Sequence, residues 1–152
     1  MVRIKLKELA KKLSKELAVA QKRYKESKSD ADRVSQEAVS SWSSAGDREY
    51  SQGQAEILKE NLESIKRIQK AIESAFEKES VDKVEAPSYV EINLNGSAMN
   101  FYLVNDPIHL ENVNFLSGES EIGKVIIGKV VDDVFEIKRE NTVVRGKIIF
   151  IG

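Results

Sequence analysis

Cysteine is absent from the 152 residues. That excludes disulfides and thiolate metal centres, and it fits a reducing compartment. There is one histidine, His109, in "NDPIHLENVN". With no cysteine and no second histidine at ligand spacing, a metal site there is not expected, nor is a Ser-His-Asp arrangement; a loop or strand edge is the expected place. Only two prolines occur, Pro87 and Pro107, and only two of the eight glycines, Gly46 and Gly53, fall in the first 86 residues. No apolar run approaches the roughly 20 residues that a membrane-spanning helix needs. The N-terminal "MVRIKLKELAKKLSKEL" is broken by charge too often to be a secretory signal. Neither sign of charge dominates: 24 Lys and Arg stand against 25 Asp and Glu, which argues against a chain that wraps nucleic acid. These absences lead to the expectation of a soluble, cytoplasmic protein with no membrane partner.

Long helical patterns occupy the first half. Between residues 5 and 41 one heptad register reads Leu6, Leu13, Ala20, Ser27, Val34, Ser41, and a second reads Ala10, Leu17, Tyr24, Ala31, Ala38. Such spacing argues for a helix that packs along a seam. A second segment places Ile57, Leu58, Leu62, Ile65, Ile68, Ile72 and Phe76 at steps of three and four. Both seams grow more apolar away from residue 45, so the two helices are expected to pair as an antiparallel coiled-coil hairpin over residues 1–79, with its tip at about 41–50. Each arm of about 33–38 residues would run roughly 50–57 Å at 1.5 Å per residue. The expected rod is longer than a compact domain of this size needs.

After residue 80 the period changes. "KESVDKVEAPSYV" reads as a linker, placed at 80–88, and residues 89–152 as a small domain with an antiparallel sheet. Strand candidates are "YVEINL", "NFYLV", "VIIGKVVDDVFEI" and "TVVRGKIIFIG", with turns at Asn95-Gly96 and Arg139-Glu140-Asn141 and a hairpin turn at Asp132-Asp133. "SEIGKVIIG" can open a short helix with Ser120 as its cap. The glycines Gly123 and Gly128 lack phosphate-loop spacing and are expected to serve turns and close packing. The fold class is therefore α+β, a helical hairpin followed by a small sheet domain.

Residues 120–137, "SEIGKVIIGKVVDDVFEI", carry a resemblance. Ser120, Ile122, Gly123, Lys124, Ile127, Gly128, Lys129 and Asp133 stand where the C-terminal domain of the Gre transcript-cleavage factors has Ser-Pro-[IL]-Gly-[KR]-[AV]-Leu-[LI]-Gly-Lys-x-x-Gly-Asp. Glu121 replaces that pattern's proline, and Asp132 its glycine. The layout is similar too: a coiled coil of this length, a linker, then a second domain. The resemblance implies an FKBP-like C-terminal domain and RNA polymerase as partner. The stretch Ser120, Ile122, Gly123, Lys124, Ile127 and Gly128 would be the polymerase-docking motif, and the hairpin would enter the secondary channel. The chain would not be an enzyme itself. It would stimulate the polymerase's own cleavage of backtracked RNA, with no cofactor of its own and no metal held stably by it alone.

The tip is where that chemistry would lie. Gre factors have Gly-Asp-x-x-Glu-Asn there; this chain has Gly46-Asp47-Arg48-Glu49-Tyr50-Ser51, with the glutamate one residue early. In the preferred register Gly46-Asp47 falls in the turn, Asp47 and Glu49 are the carboxylates that assist the polymerase's Mg²⁺, and Trp42, Gly46 and Arg48 are tip contacts. Asp47 serves equally well as a helix cap, and Trp42 can fold back over the small residues of the seam. The bases Arg3, Lys5, Lys7, Lys11, Lys12, Lys15, Lys22, Arg23, Lys25 and Lys28 form a stripe. It can attract the RNA 3′ end, as the resemblance implies, or pair with Glu60, Glu63, Glu73, Glu77 and Glu79 on the facing helix, which is the favoured reading. A secondary-channel regulator that does not promote cleavage, a coiled-coil adaptor or chaperone-like protein unrelated to transcription, and a prolyl isomerase are the alternatives. An isomerase needs an aromatic-lined pocket, and Phe101, Tyr102, Phe115, Phe135 and Phe150 are better used in a core.

Overall fold

The computed structural model describes the backbone of residues 3–37, 44–78 and 81–152, and the side chains of 3–29, 53–78 and 81–152. Two long helices come first, α1 (Ile4–Glu37) and α2 (Ser44–Ala75). At 34 and 32 residues they span roughly 50 Å each. Arg3, at the start of α1, donates from Nη1 to the Ala75 carbonyl at the end of α2 (3.2 Å), so the helices run antiparallel. Leu6, Leu9, Leu13 and Ala20 are buried on α1, and Leu62, Ile65, Ile68 and Ile72 on α2. Two seam expectations need correction. Leu9 takes the buried place beside Leu6 and Leu13 while Ala10 is half-buried, and Ile57 is 60% exposed. A stripe of 3.6-residue period drifts across a strict heptad, so one position per few turns changes side.

The chain divides into two compact units, Lys12–Arg67 and Met1–Lys11 with Ile68–Gly152. The second is thus assembled from both ends of the helical pair and from everything after it. Its sheet holds β1 (Ser88–Leu94), β2 (Ser97–Val104), β3 (Phe115–Ser117), β4 (Val134–Arg139) and β5 (Thr142–Ile151), in the order β3-β2-β1-β5-β4. The short helix α3 (Glu121–Ile126) lies between β3 and β4 in the chain. The fold is α+β, as the pattern change at residue 80 implies.

The sheet is antiparallel at its centre, as expected, and becomes mixed at one edge. β2 and β3 pair in parallel, Tyr102 with Phe115 through Val104 with Ser117, because residues 105–114 carry the chain back along the sheet before β3 begins. At three residues, β3 is too short to leave a period-2 signal in the sequence. The other pairs are antiparallel. Asn95-Gly96 makes the expected two-residue hairpin, both at positive φ (52° and 88°), the backbone that Asn and Gly tolerate and a twisted hairpin needs. Glu140-Asn141 close the second hairpin. Asp132 has φ 74° and turns the chain into β4, but the element before it is α3, so this is not a hairpin between strands.

One face of the sheet and α3 enclose the core: Val90, Ile92, Phe101, Leu103, Ile126, Phe135, Ile137, Ile148 and Ile151. Burying each such side chain contributes about 1.5–3 kcal/mol. Val84 belongs to this core, and its backbone is pinned by bonds from Val84 N to Lys129 O (2.8 Å) and from Gly128 N to Val84 O (2.9 Å). The segment expected as a linker is therefore built into the body. The opposite face carries an aromatic row. Tyr89 and Tyr102 lie 5.2 Å apart between ring centroids, Phe150 lies 6.1 Å from Tyr89, and Phe115 lies 6.1 Å from Tyr102. The first turn of α1 meets this row: Tyr102 Oη donates to the Lys5 carbonyl (3.1 Å), and the Lys5 ammonium sits 5.4 Å from the Tyr89 ring centre. The six aromatics of this half thus divide, Phe101 and Phe135 in the core and Tyr89, Tyr102, Phe115 and Phe150 on the other face.

Candidate functional site

The motif of residues 120–133 is built upward from one serine. Ser120 caps α3: its Oγ accepts from Gly123 N at 3.0 Å and donates to Ser117 O at 2.6 Å, satisfying a donor that the first helical turn leaves open. Gly123 sits where that cap folds against the chain before it. A Cβ on Gly123 would lie 2.2 Å from the Ser117 carbonyl oxygen, so only glycine fits. Gly128, at φ +85°, turns the chain after the helix in the left-handed region. Asp133 closes the next turn, its Oδ2 accepting from Val130 N at 2.9 Å. Ser120, Gly123, Gly128 and Asp133 therefore hold the backbone of the motif in place.

What the motif leaves at the surface is different in kind. Ile122 packs partly against the core, while Lys124 and Ile127 are exposed. Beyond them Val130, Val131 and Val134 are exposed too, at 38%, 44% and 63%. The structure thus brings Ser120, Ile122, Gly123, Lys124, Ile127 and Gly128 together in one turn-helix-turn, with four of the expected positions structural and Lys124 and Ile127 exposed. Surface ion pairs border it, Arg139–Glu121 at 3.5 Å and Lys147–Asp132 at 3.2 Å. Exposed pairs of this kind contribute little stability.

The tip residues are placed less fully. Trp42 lies outside the described residues, as do the side chains of Gly46, Asp47, Arg48 and Glu49. The backbone of α2 starts at Ser44, so residues 46–49 belong to its first turns, where a turn was expected at Gly46-Asp47. Positions 47 and 49 are then roughly 200° apart around the helix axis, at 100° per residue, and do not share a face.

The basic stripe resolves into two kinds of residue. Arg3 is 4% exposed and is no part of a charged surface. Besides Ala75 O, its guanidinium donates to Pro87 O (3.0 Å) and Gly152 O (3.3 Å), leaving Nε without a partner. Burial lowers its pKa from the usual range, against the raising effect of Glu85. Lys7, Lys11, Lys12, Lys15, Lys22, Arg23, Lys25 and Lys28 are exposed, and so are Glu60, Glu63, Glu73 and Glu77 on α2. Among the described residues no bridge joins the two sets; the pair made by α1's own bases is Lys5–Glu8 at 3.6 Å within the helix. The expected pairing across the helices is not formed there.

His109 is exposed and lines a cleft beside β2 and β3. Among the described residues no group of three His, Cys, Asp or Glu is arranged to hold a metal ion, and no helix is long and apolar enough to cross a membrane. Sequence reasoning missed this cleft and the latch made by Arg3. The cleft's crossover loop has no periodic signal, and a single Arg in a run of lysines does not announce its burial.

No protein-family profile and no curated protein matches the chain. Solved structures do. Gfh1 of Thermus aquaticus is 20% identical, over 93% of this chain and 92% of that one, with a TM-score of 0.40. GreA factor homolog 1 of Thermus thermophilus is 17% identical, over 94% of each chain, with a TM-score of 0.38. A prokaryotic transcription elongation factor GreA/GreB from Nitrosomonas europaea is 17% identical, over 63% of this chain and 91% of that one, with a TM-score of 0.38.

Proposed function

We propose that this chain is a Gre-like transcription factor, one that acts on RNA polymerase from within its secondary channel. The observation that carries this reading is the stretch of residues 120–133. It resembles the Gre pattern, and in this fold the matching Ser120, Gly123, Gly128 and Asp133 hold a turn-helix-turn that presents Lys124 and Ile127 outward. Two antiparallel helices of 34 and 32 residues supply the reach such a factor needs.

The active mode concerns the start of α2. Mg²⁺ keeps several waters and accepts one or two carboxylates, and a second metal in phosphodiester hydrolysis activates water and stabilises the leaving oxygen. Positions 47 and 49 are roughly 200° apart around α2, which favours a role for one of the two acids over a shared one. Asp47 is the residue assigned to the polymerase's metal, with the carboxylate alone as the contribution of this chain. The absence of a second acid on its face favours a further reading, regulation of the polymerase through the same channel without cleavage.

Backtracked elongation complexes separate the two. With 3′-end fragments resolved after addition of the protein, cleavage is expected to accelerate, and Asp47→Ala to lose about tenfold or more of that acceleration while Glu49→Ala retains most of it. Binding to the polymerase with no added cleavage establishes the regulator. No binding removes the proposal altogether.

A further inference from the structure

The hairpin that joins β1 to β2 carries a reactive pair of residues. Asn95-Gly96 is the one Asn-Gly dipeptide in the sequence. Both residues are exposed, and a Cβ built on Gly96 would meet nothing within 4 Å. Every other asparagine is followed by a residue with a side chain, as Asn93 is by Leu94 and Asn112 by Val113.

The chemistry of such a pair needs only water. The backbone nitrogen of the second residue attacks the asparagine Cγ, and the new C–N bond closes a five-membered succinimide. The side-chain nitrogen leaves as ammonia, taking the proton that the backbone nitrogen gives up. Water then opens the ring at either carbonyl. One opening gives aspartate; the other gives isoaspartate, in which the main chain runs through Cβ and Cγ. Glycine in second place leaves the attacking nitrogen uncrowded, because it has no Cβ.

The fold decides when this can happen. With φ of 52° and 88°, Asn95 and Gly96 are the central residues of a type I′ turn, in which ψ of the first is about +30°. Ring closure requires the Gly96 nitrogen and the Asn95 Cβ to be nearly eclipsed about the Cα–C bond. At that ψ they lie almost opposite each other, so the closed turn does not react. Asn95 N donates to the Arg145 carbonyl on β5 (2.8 Å), and Leu94 pairs with Ser97 across the hairpin. Gly96 N donates to Asn93 Oδ1 at 3.0 Å, which occupies the proton that the reaction must remove. Among the described residues no hydrogen bond holds the Asn95 carboxamide.

We propose that Asn95 is a site of spontaneous conversion to aspartate and isoaspartate, gated by opening of the hairpin, and that Asn93 is the positioning residue that keeps the gate shut. The rate in the fold is that of an open chain multiplied by the fraction of time the turn is open. Isoaspartate adds a charge and one main-chain atom to a turn that has two residues, so the Leu94–Ser97 pair is lost in the product. This site is separate in sequence from residues 120–133 and from the start of α2, and it does not depend on the polymerase reading.

The test incubates the full chain in mildly alkaline buffer beside a capped peptide of residues 91–100. Isoaspartate is counted by methyl transfer from S-adenosylmethionine with an isoaspartyl methyltransferase. Mass spectrometry of the tryptic fragment 84–124 locates it. Conversion is expected at Asn95 in both, at least about tenfold slower in the folded chain. Asn93→Ala is expected to speed the folded chain about two- to tenfold, the ordinary net worth of one hydrogen bond, and to leave the peptide unchanged. Asn93→Asp keeps an acceptor and is expected to stay near the native rate. Asn112, also at positive φ (60°) but followed by Val113, is expected to remain intact in the same fragment. Equal rates in chain and peptide, an unaltered rate in folded Asn93→Ala, or conversion of Asn112 as fast as that of Asn95 overturns the proposal. So does a folded chain free of isoaspartate at Asn95 after many half-lives of the peptide. Should Asn93→Ala unfold, the native chain against the peptide decides alone.

Discussion

Tyr89 concentrates several pressures on one phenol. It is 7% exposed, meets Tyr102 at a tilt and Phe150 edge-on, is covered by Lys5, and its Oη donates to Glu91 Oε1 at 2.9 Å. Burial, and then the bond to Glu91, push its pKa up to about 12. An unfolded tyrosine titrates near 10. Between pH 10 and 12 the unfolded chain sheds this proton while the folded chain keeps it, so the folded state binds more protons and stability falls as pH rises. Below pH 10 both states are protonated and the contribution is fully present. The urea midpoint is therefore expected to fall between pH 10 and 12 more steeply in the native protein than in Tyr89→Phe. Tyr102, raised by burial and by Glu8, keeps part of the slope in that variant. Equal slopes would mean that Tyr89 ionises freely in the fold.

Elements, in contrast with single residues, are held by position within a stripe. Leu13 is fully buried on α1, whereas Ile57, of similar size, is 60% exposed on α2. Leu13→Ala is expected to cost about 2–5 kcal/mol, through lost burial and the cavity it leaves, and Ile57→Ala to stay within about 0.5 kcal/mol. Urea denaturation of the two variants checks the contrast, and comparable losses would place Ile57 in an unseen contact. This difference also marks what the sequence makes legible. The two helices, the hairpin at Asn95-Gly96 and the Ser120 cap follow from local pattern, because each is decided by residues within a few positions of one another. β3 does not, since its partner Tyr102 is thirteen residues away and its three residues have no pattern of their own. Val84 reads as linker because a lone valine between charges becomes core only through bonds to Gly128 and Lys129. The motif of residues 120–133 is legible by resemblance, and the physical need for Gly123 within it comes from the Ser117 carbonyl packed against it. The cleft at β2 was not legible, because it is created by what β3 fails to cover.

At the scale of the whole molecule, Arg3 joins chain segments far apart in sequence. Its three bonds reach the end of α2, the residue before β1 and the last residue of the chain, over separations of 72, 84 and 149 positions. Arg3→Met keeps the apolar stem and removes the donor of Pro87 O, while Ala75 O still accepts from Lys78 N and Gly152 O from Tyr89 N. A loss of about 1–3 kcal/mol is expected by urea denaturation, the cost of one buried group left unsatisfied. Arg3→Lys is expected to recover only part of it, since one ammonium cannot reproduce the planar spread of a guanidinium. A loss under about 0.5 kcal/mol would show that water replaces the guanidinium at no cost.

The division of the chain has a last consequence, for how such a protein can change length. The body takes residues up to Lys11 and from Ile68 onward, and everything between belongs to the helical unit. Seven residues removed from each arm within 12–67 would shorten that unit by roughly 10 Å, keep the stripes nearly in phase, and touch no residue of the body. Such matched deletions are expected to leave the amide spectrum of the body unchanged, since the body takes no residue from within 12–67.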